Sequence, residues 1–159
     1  MNYDFIIIGS GIVGLATAYS VMNKYPKSKI AILEKEKSFS MHQSGNNSNV
    51  IHSGIYYKPN SKKALNCIEG YKLLLEFLNK YKIPYDLCGK LIVATTKDEE
   101  KELLRIFETG KKNGLKNLKI LNSDQIKKYE PFVNGYKAIH VPQSGLTDYK
   151  LVSKKIYDI

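Results

Sequence analysis

The stretch from Phe5 to Glu34, FIIIGSGIVGLATAYSVMNKYPKSKIAILE, constrains this chain more than any other. Phe5-Ile6-Ile7-Ile8 is short, apolar and rich in β-branched residues, the pattern of a strand buried on both faces. It runs directly into Gly9-Ser10-Gly11-Ile12-Val13-Gly14, a G-x-G-x-x-G turn. Ile12 to Met22 reads as one helix, with Ala16, Ala18 and Val21 available for packing, and Lys29 to Leu33 as a second strand. That strand ends at Glu34, 20 positions after Gly14. The pattern predicts a βαβ unit whose two strands are parallel and adjacent, joined by a right-handed crossover. The three glycines do different things. Gly9 makes the tight turn, Gly11 lets backbone approach a diphosphate, and Gly14 lets helix and strand pack closely. The helix N-terminus, from Ser10 through Ile12 and Val13, offers unpaired N–H groups and partial positive charge to phosphate oxygens. Glu34 stands where an acid accepts from a ribose hydroxyl. A single G-x-G-x-x-G says little, but strand, helix and acid at these distances predict an adenine-dinucleotide site in a Rossmann-like α/β domain.

The charge balance does not redirect that reading. Lys+Arg number 25 against 15 Asp+Glu, a formal net charge of +10, yet Arg105 is the only arginine and the lysines are scattered. Nucleic-acid surfaces cluster their cations and use arginine for bidentate recognition, so no nucleic-acid partner is expected. A diffuse positive field remains available to draw in an anionic substrate or an acidic membrane surface. No apolar run is long enough to cross a bilayer, and the one at Phe5 is too short for a signal-peptide core. The two cysteines, Cys67 and Cys88, form no disulfide framework or metal spacing and are expected to be small buried hydrophobes in a reducing compartment. No metal site is expected.

Beyond Glu34 the periodicity disappears. Lys35 to Ser61 is rich in Ser, Asn, Gly and His, and a loop of that length in a compact domain is usually functional or disordered. Val50, Ile51, Ile55, Tyr56 and Tyr57 argue for order. Helical spacing returns from Ser61 to Tyr81, with Ala64, Leu65, Ile68, Tyr71, Leu74, Leu75 and Leu78 on one face and Gly70 marking a close approach. Leu91 to Ala94 reads as a strand, followed by a capping box, Thr96 to Glu99. A helix carrying Leu103, Leu104, Ile106 and Phe107 inward stops near Asn113-Gly114. Leu118 to Leu121 and Tyr136 to Val141 read as strands, with a short helix capped by Ser123 between them. Pro142 to Thr147 reads as a loop, and Asp148 starts a last helix without a stop signal. The expected organisation is a cofactor-binding segment over 1–81, part of a mixed α+β substrate lobe over 82–146, and a return to the cofactor domain over 147–159.

The loop itself reads MHQSGNNSNVIHSGIYY from Met41 to Tyr57. Its hydroxyl and amide side chains suit convergence on phosphate or ribityl oxygens. They equally suit a surface loop that turns on its own Asx and Ser hydrogen bonds. Together with the glycine turn, Ala18 and Glu34, this loop resembles the FAD-dependent oxidoreductases of the D-amino-acid oxidase type. Within that superfamily the likeness runs to the L-2-hydroxyglutarate oxidase/dehydrogenase group. It continues through Tyr57-Lys58-Pro59-Asn60-Ser61, Gly89 to Thr95, Glu130-Pro131 and Ser144 to Tyr149, nearly the whole chain. The segment S-x-x-x-H-S-G-x-Y-Y, from Ser48 to Tyr57, is its specific part. Asn49 and Ser53 depart from it, standing where relatives commonly carry smaller residues.

The resemblance implies FAD as cofactor, held by Gly9 to Gly14 with the pyrophosphate above Ser10 to Val13, Glu34 and Lys35 near the adenosine ribose, and Gln43, Ser44, Asn47 and Ser48 along the rest of the flavin. It implies oxidation of a small 2-hydroxy acid, L-2-hydroxyglutarate to 2-oxoglutarate, with oxygen or a quinone as acceptor. The location it implies is cytoplasmic, or peripheral on the inner face of a membrane. Family members are longer, so this chain is expected to be the N-terminal portion of such an enzyme, exposing apolar surface and binding FAD poorly by itself. Of the three histidines, His52 is the candidate base, because it sits between apolar Val50-Ile51 and small Ser53-Gly54. A histidine that only packs against the flavin ring, or one attached covalently to it, is the alternative role. His140 lies in an apolar strand pattern and reads as structural. Tyr56 and Tyr57 are local donors for substrate, with the carboxylate-binding cations expected outside this chain. Rival readings are a non-catalytic dinucleotide-binding module, an amine or amino-acid oxidase of the same superfamily, and an NAD-dependent dehydrogenase.

Overall fold

The first two strands pair as the motif requires. In a computed structural model that describes Asn2–Ile159, β1 (Phe5–Ile8) is followed by α1 (Ile12–Lys24) and β2 (Ile30–Leu33). β1 and β2 are parallel and adjacent in the register Phe5↔Ile30 to Ile8↔Leu33. The fold is α/β. Burial of β1 departs from expectation, however: Ile6 is 61% and Ile8 87% exposed. A two-stranded parallel sheet has an open edge on each side, and covering both faces takes more layers than α1 supplies.

The next elements are β3 (Val50–Ile51), α2 (Lys62–Lys80), β4 (Tyr85–Asp86) and β5 (Lys90–Ala94). Then follow α3 (Glu100–Lys112), β6 (Lys119–Asn122), α4 (Ser123–Tyr129), β7 (Lys137–Val141), β8 (Gly145–Thr147) and α5 (Tyr149–Asp158). The chain divides into two compact units. One contains the residues through Asn49, Leu78–Pro84 and Thr147–Ile159; the other contains Val50–Phe77 and Tyr85–Leu146.

In the first unit, α5 packs against α1 and brings buried Val152 and Ser153 into a core that holds Leu15 and Ala18. Asp148 caps α5 by accepting from the Lys150 and Leu151 amides. Thr147 ties its segment down by donating its hydroxyl to the Pro84 carbonyl (2.9 Å) and its N–H to the Asn49 carbonyl (3.0 Å).

The second unit has two three-stranded sheets, ordered β3-β8-β4 and β5-β7-β6. In the latter both pairings are antiparallel, and the buried residues Ile139 and Val141 of β7 pack with Ile55, Ala94 and Leu103. Here the sequence reading needs correction at several points. β3 and β8 are strands of two and three residues inside segments read as loop, and β4, of two residues, lies where no element is read; all are too short for alternation to show. Leu65 is 55% exposed rather than inward, and nothing approaches Gly70. Leu104 is also exposed, Cys88 is exposed, and both cysteines are free. The cap of α4 is Asn122, which forms a capping box with Gln125. At α3 only half the expected box exists: the Glu99 carboxylate accepts from the Thr95 and Thr96 amides, while Glu99 is itself the N-cap and makes no side-chain cap hydrogen bond. Among the described residues no helix is long and apolar enough to cross a membrane.

Candidate functional site

In the first unit the chain leaves β1 through Gly9, whose φ of +93° lies in the region that favours glycine. Gly14 answers to a different constraint. A Cβ there would stand 2.0 Å from the Gly9 carbonyl oxygen, so only glycine lets the first turn of α1 close on the strand end. Gly11 is the N-cap of α1 and has no side chain to spend on the helix terminus. Instead Ser44 reaches back from the polar loop, and its hydroxyl oxygen accepts from the Ile12 N–H at 2.9 Å. The Val13 and Gly14 amides have no protein acceptor among the described residues. The turn therefore presents free donors at the positive end of a helix, an arrangement that can take an anion such as a diphosphate.

Glu34 closes the other side. Its Oε2 accepts from the Ser10 N–H (2.7 Å) and the Ser10 hydroxyl (2.6 Å), and its Oε1 from the Glu36 N–H (3.0 Å). The Ser10 hydroxyl, then the Ser10 and Glu36 amides, hold the carboxyl down to about 2. Glu34 is therefore an ionised acceptor at any pH near neutrality. Beside it lies a cleft of about 290 Å³ lined by Ser10, Ile32, Glu34, Lys37, Phe39 and Tyr157. Phe39 and Tyr157 stack at 4.7 Å with their planes 21° apart. Sequence reasoning missed this aromatic pair, because Tyr157 arrives from α5 across most of the chain length.

The polar loop is largely self-bonded. Asn46 donates to the carbonyls of Met41 and His42, Asn47 to those of Gln43 and Ser44, and the Asn47 Oδ1 accepts from the Asn49 N–H. His42 pairs with Glu36 at 3.0 Å, and Lys35 with Glu36 at 3.5 Å. Gln43 and Ser48 are exposed. Of the loop residues singled out by sequence, Ser44 is the one whose side chain reaches the glycine turn. Buried Ser40, which sequence reasoning passed over, also reaches it: its N–H donates to the Ser10 carbonyl at 3.1 Å from a backbone φ of +55°.

His52, Tyr56 and Tyr57 belong to the second unit. Their segment is held from below by Asn113, whose buried side-chain amide donates to the carbonyls of Gly54 (2.9 Å) and Tyr57 (2.8 Å). In the sequence Asn113 reads only as a helix stop. Ser53 and Ser144 share a hydroxyl hydrogen bond at 3.3 Å, and the Ser144 carbonyl accepts from the Gly89 N–H at 2.9 Å. That contact fixes the start of β5. There Lys90, also missed by sequence, sets its ammonium 4.5 Å from the centre of the Tyr56 ring and 3.5 Å from the Tyr56 hydroxyl. Partial burial, and then the Lys90 charge, push the His52 imidazole below its ordinary 6.5. Tyr57 faces elsewhere, with the Lys63 ammonium over its ring. His140 packs its ring on Tyr129 at 4.6 Å, a structural role.

Comparison with known proteins agrees with this geometry. Residues 4–157 match the family model described as FAD dependent oxidoreductase (DAO). An L-2-hydroxyglutarate dehydrogenase of Indibacter alkaliphilus is 51% identical over 155 residues, covering 98% of this chain and 39% of that protein. A mitochondrial L-2-hydroxyglutarate dehydrogenase of Dictyostelium discoideum is likewise 51% identical, over 96% of this chain and 34% of its own length. The chain thus spans about two fifths or less of these relatives. Among solved structures, the dithionite-reduced, FAD-bound L-α-glycerophosphate oxidase of Mycoplasma pneumoniae superposes with a TM-score of 0.88 at 32% identity, over 98% of this chain and 42% of that one. With a family match across almost every residue and a glycine turn that accepts nothing larger at Gly14, the chain belongs to the DAO family of FAD-dependent oxidoreductases.

Proposed function

We propose that this chain carries the first FAD-binding segment (1–81), part of the substrate lobe (82–146) and the return to the cofactor domain (147–159) of an enzyme that oxidises L-2-hydroxyglutarate to 2-oxoglutarate. The observation that carries the cofactor half is the glycine turn. Free amides at Val13 and Gly14, and an ionised Glu34 fixed beside them, match a diphosphate and an adjoining ribose. Gly9, Ser10, Gly11, Ile12, Val13 and Gly14 would hold the diphosphate, and Glu34 with Lys35 the adenosine ribose. Ser44, with Gln43, Asn47 and Ser48, would line the remainder. The substrate half is supported by the names of relatives that are 51% identical. Oxygen or a quinone is the proposed electron acceptor. The proposed location is cytoplasmic, or peripheral on the inner face of the membrane.

Bound FAD supplies the hydride acceptor for such an oxidation. The chain's own contribution is a proton acceptor. His52, kept neutral by partial burial and by Lys90, can take the hydroxyl proton of a 2-hydroxy acid at neutral pH. Tyr56 is a donor toward substrate, and Tyr57 a more distant one. In the full-length, flavin-loaded protein, His52→Ala should retain its flavin and lose flavin reduction by about a hundredfold or more, the low end for a lost acid–base group. Because the imidazole lies below 6.5, the acid limb of the wild-type rate should also fall below the ordinary histidine range. Unchanged reduction by L-2-hydroxyglutarate in His52→Ala would remove His52 from this role.

A further inference from the structure

Lys90 is a partly buried cation beside His52, and it is unusual in what it lacks. Burial lowers its ammonium below the ordinary lysine value, so the protein bears a desolvation cost to keep it there. Yet among the described residues no carboxylate pairs with it; its contacts are the face and the hydroxyl of Tyr56. Lys111, paired with Glu108, and Lys154, paired with Asp158, are exposed on helices, while the partly buried Lys137 of β7 has Glu100 as its counter-ion. A half-desolvated ammonium without a counter-ion attracts an anion more strongly than an exposed one does, because less solvent screens the charge.

Position makes that attraction specific. Lys90 opens β5, held by the Lys90↔Val141 register and by the Gly89 N–H bond to Ser144. Tyr56 sits in the segment that Asn113 grips through Gly54 and Tyr57. Ammonium and phenol are therefore fixed relative to one another by strand and side-chain hydrogen bonds rather than by exposed loop. The groups acting on the His52 residue are Lys90 from β5, whose charge reaches the imidazole, and the Cys67 thiol of α2, which donates to the His52 carbonyl at 3.6 Å. Neither is acidic at neutral pH.

We propose that Lys90 and the Tyr56 hydroxyl form the binding point for a carboxylate of the substrate, setting the hydroxyl-bearing carbon against His52. This rests on the reading of the protein as a 2-hydroxy-acid oxidoreductase and assigns it a cation within this chain. It differs there from the sequence-based expectation, which looked for such cations outside the chain. One consequence concerns the base. A carboxylate on Lys90 offsets the ammonium's field, so substrate binding raises the proton affinity of His52 at the moment a proton has to be accepted.

The test uses the full-length, flavin-loaded protein and 2-oxoglutarate as probe. Calorimetric titration of wild type, Lys90→Gln, Lys90→Arg and Tyr56→Phe should show 2-oxoglutarate bound about 10- to 100-fold more weakly by Lys90→Gln, the range for a lost hydrogen bond to a charged group. Lys90→Arg should recover most of the affinity, and Tyr56→Phe, which keeps the ring under the ammonium, should lose less. Flavin content and circular dichroism establish that each variant is folded. Independently of turnover, the His52 ring followed by NMR should titrate higher when 2-oxoglutarate is added to wild type, and should not respond to it in Lys90→Gln. Equal affinity in wild type and Lys90→Gln, or no binding by wild type, overturns the proposal. If wild type binds 2-oxoglutarate through Lys90 but L-2-hydroxyglutarate fails to reduce its flavin, the carboxylate site stands and the hydroxy-acid reading falls.

Discussion

At Glu34, three hydrogen bonds do what a ligand would otherwise have to do: they hold the carboxylate in place. Its pKa of about 2 lies below the ordinary 4.5, so its contribution to stability is complete above the ordinary value and is lost as pH falls toward 2. Urea midpoints of wild type and Glu34→Gln should therefore differ at pH 6 and converge at the acid end of that window. A pH-independent difference would mean the carboxylate acts through packing alone. Asn113 works in the opposite environment. It is 8% exposed, and its amide satisfies two carbonyls that water reaches poorly. Asn113→Ala should cost about 1–3 kcal/mol, the penalty for buried acceptors left unpaired. Denaturant unfolding measures that loss, and faster amide exchange at Ile55 to Tyr57 would locate it. Both residues are visible in the sequence. Glu34 is legible as the acid facing the glycine turn because it lies at a fixed spacing within one local motif. Asn113 is legible only as a helix stop, because its partners are 59 and 56 residues away.

At the scale of the element, α1 shows how a helix is started without a capping side chain of its own. Gly11 contributes nothing, Ser44 supplies one acceptor from a distant loop, and the remaining amides stay open. Capping the helix completely would have removed the free donors that the proposed diphosphate site needs. Gly14 is the element's fixed point: alanine there would press its methyl into the Gly9 carbonyl. Gly14→Ala should destabilise the protein by about 1–3 kcal/mol, the usual cost of overpacking, and should release flavin together with the altered turn. Thermal melts and the flavin absorbance of the purified full-length variant read the two effects separately. Normal flavin content would show that the turn can relax without losing its donors. Helices are the most legible elements, since α2, α3 and α5 announce themselves by apolar spacing and stop or start signals. The short strands β3, β4 and β8 carry no such pattern, and only their hydrogen-bonded neighbours define them.

For the molecule as a whole, the outstanding physical fact is uncovered apolar surface in the first unit. Ile6, Ile8, Val13 and Leu33 are all more than half exposed, on and beside a parallel pair of strands that in such sheets is normally covered. A polypeptide of these 159 residues alone should therefore bind a hydrophobic dye strongly and self-associate as its concentration rises. Dye fluorescence and sedimentation check this, and a dye-silent monomer would show that the face is covered in solution. The βαβ unit, its parallel pairing, the glycine requirement and the acid beside it were all readable from the order of residues. They follow from backbone sterics and periodicity acting over about 30 residues. That Ser44 caps α1, that Phe39 meets Tyr157, and that Lys90 stands over Tyr56 beside His52 came only with the folded chain. Such pairings join residues whose separation along the chain carries no period, so burial and charge at a site exist only once the chain has folded around it.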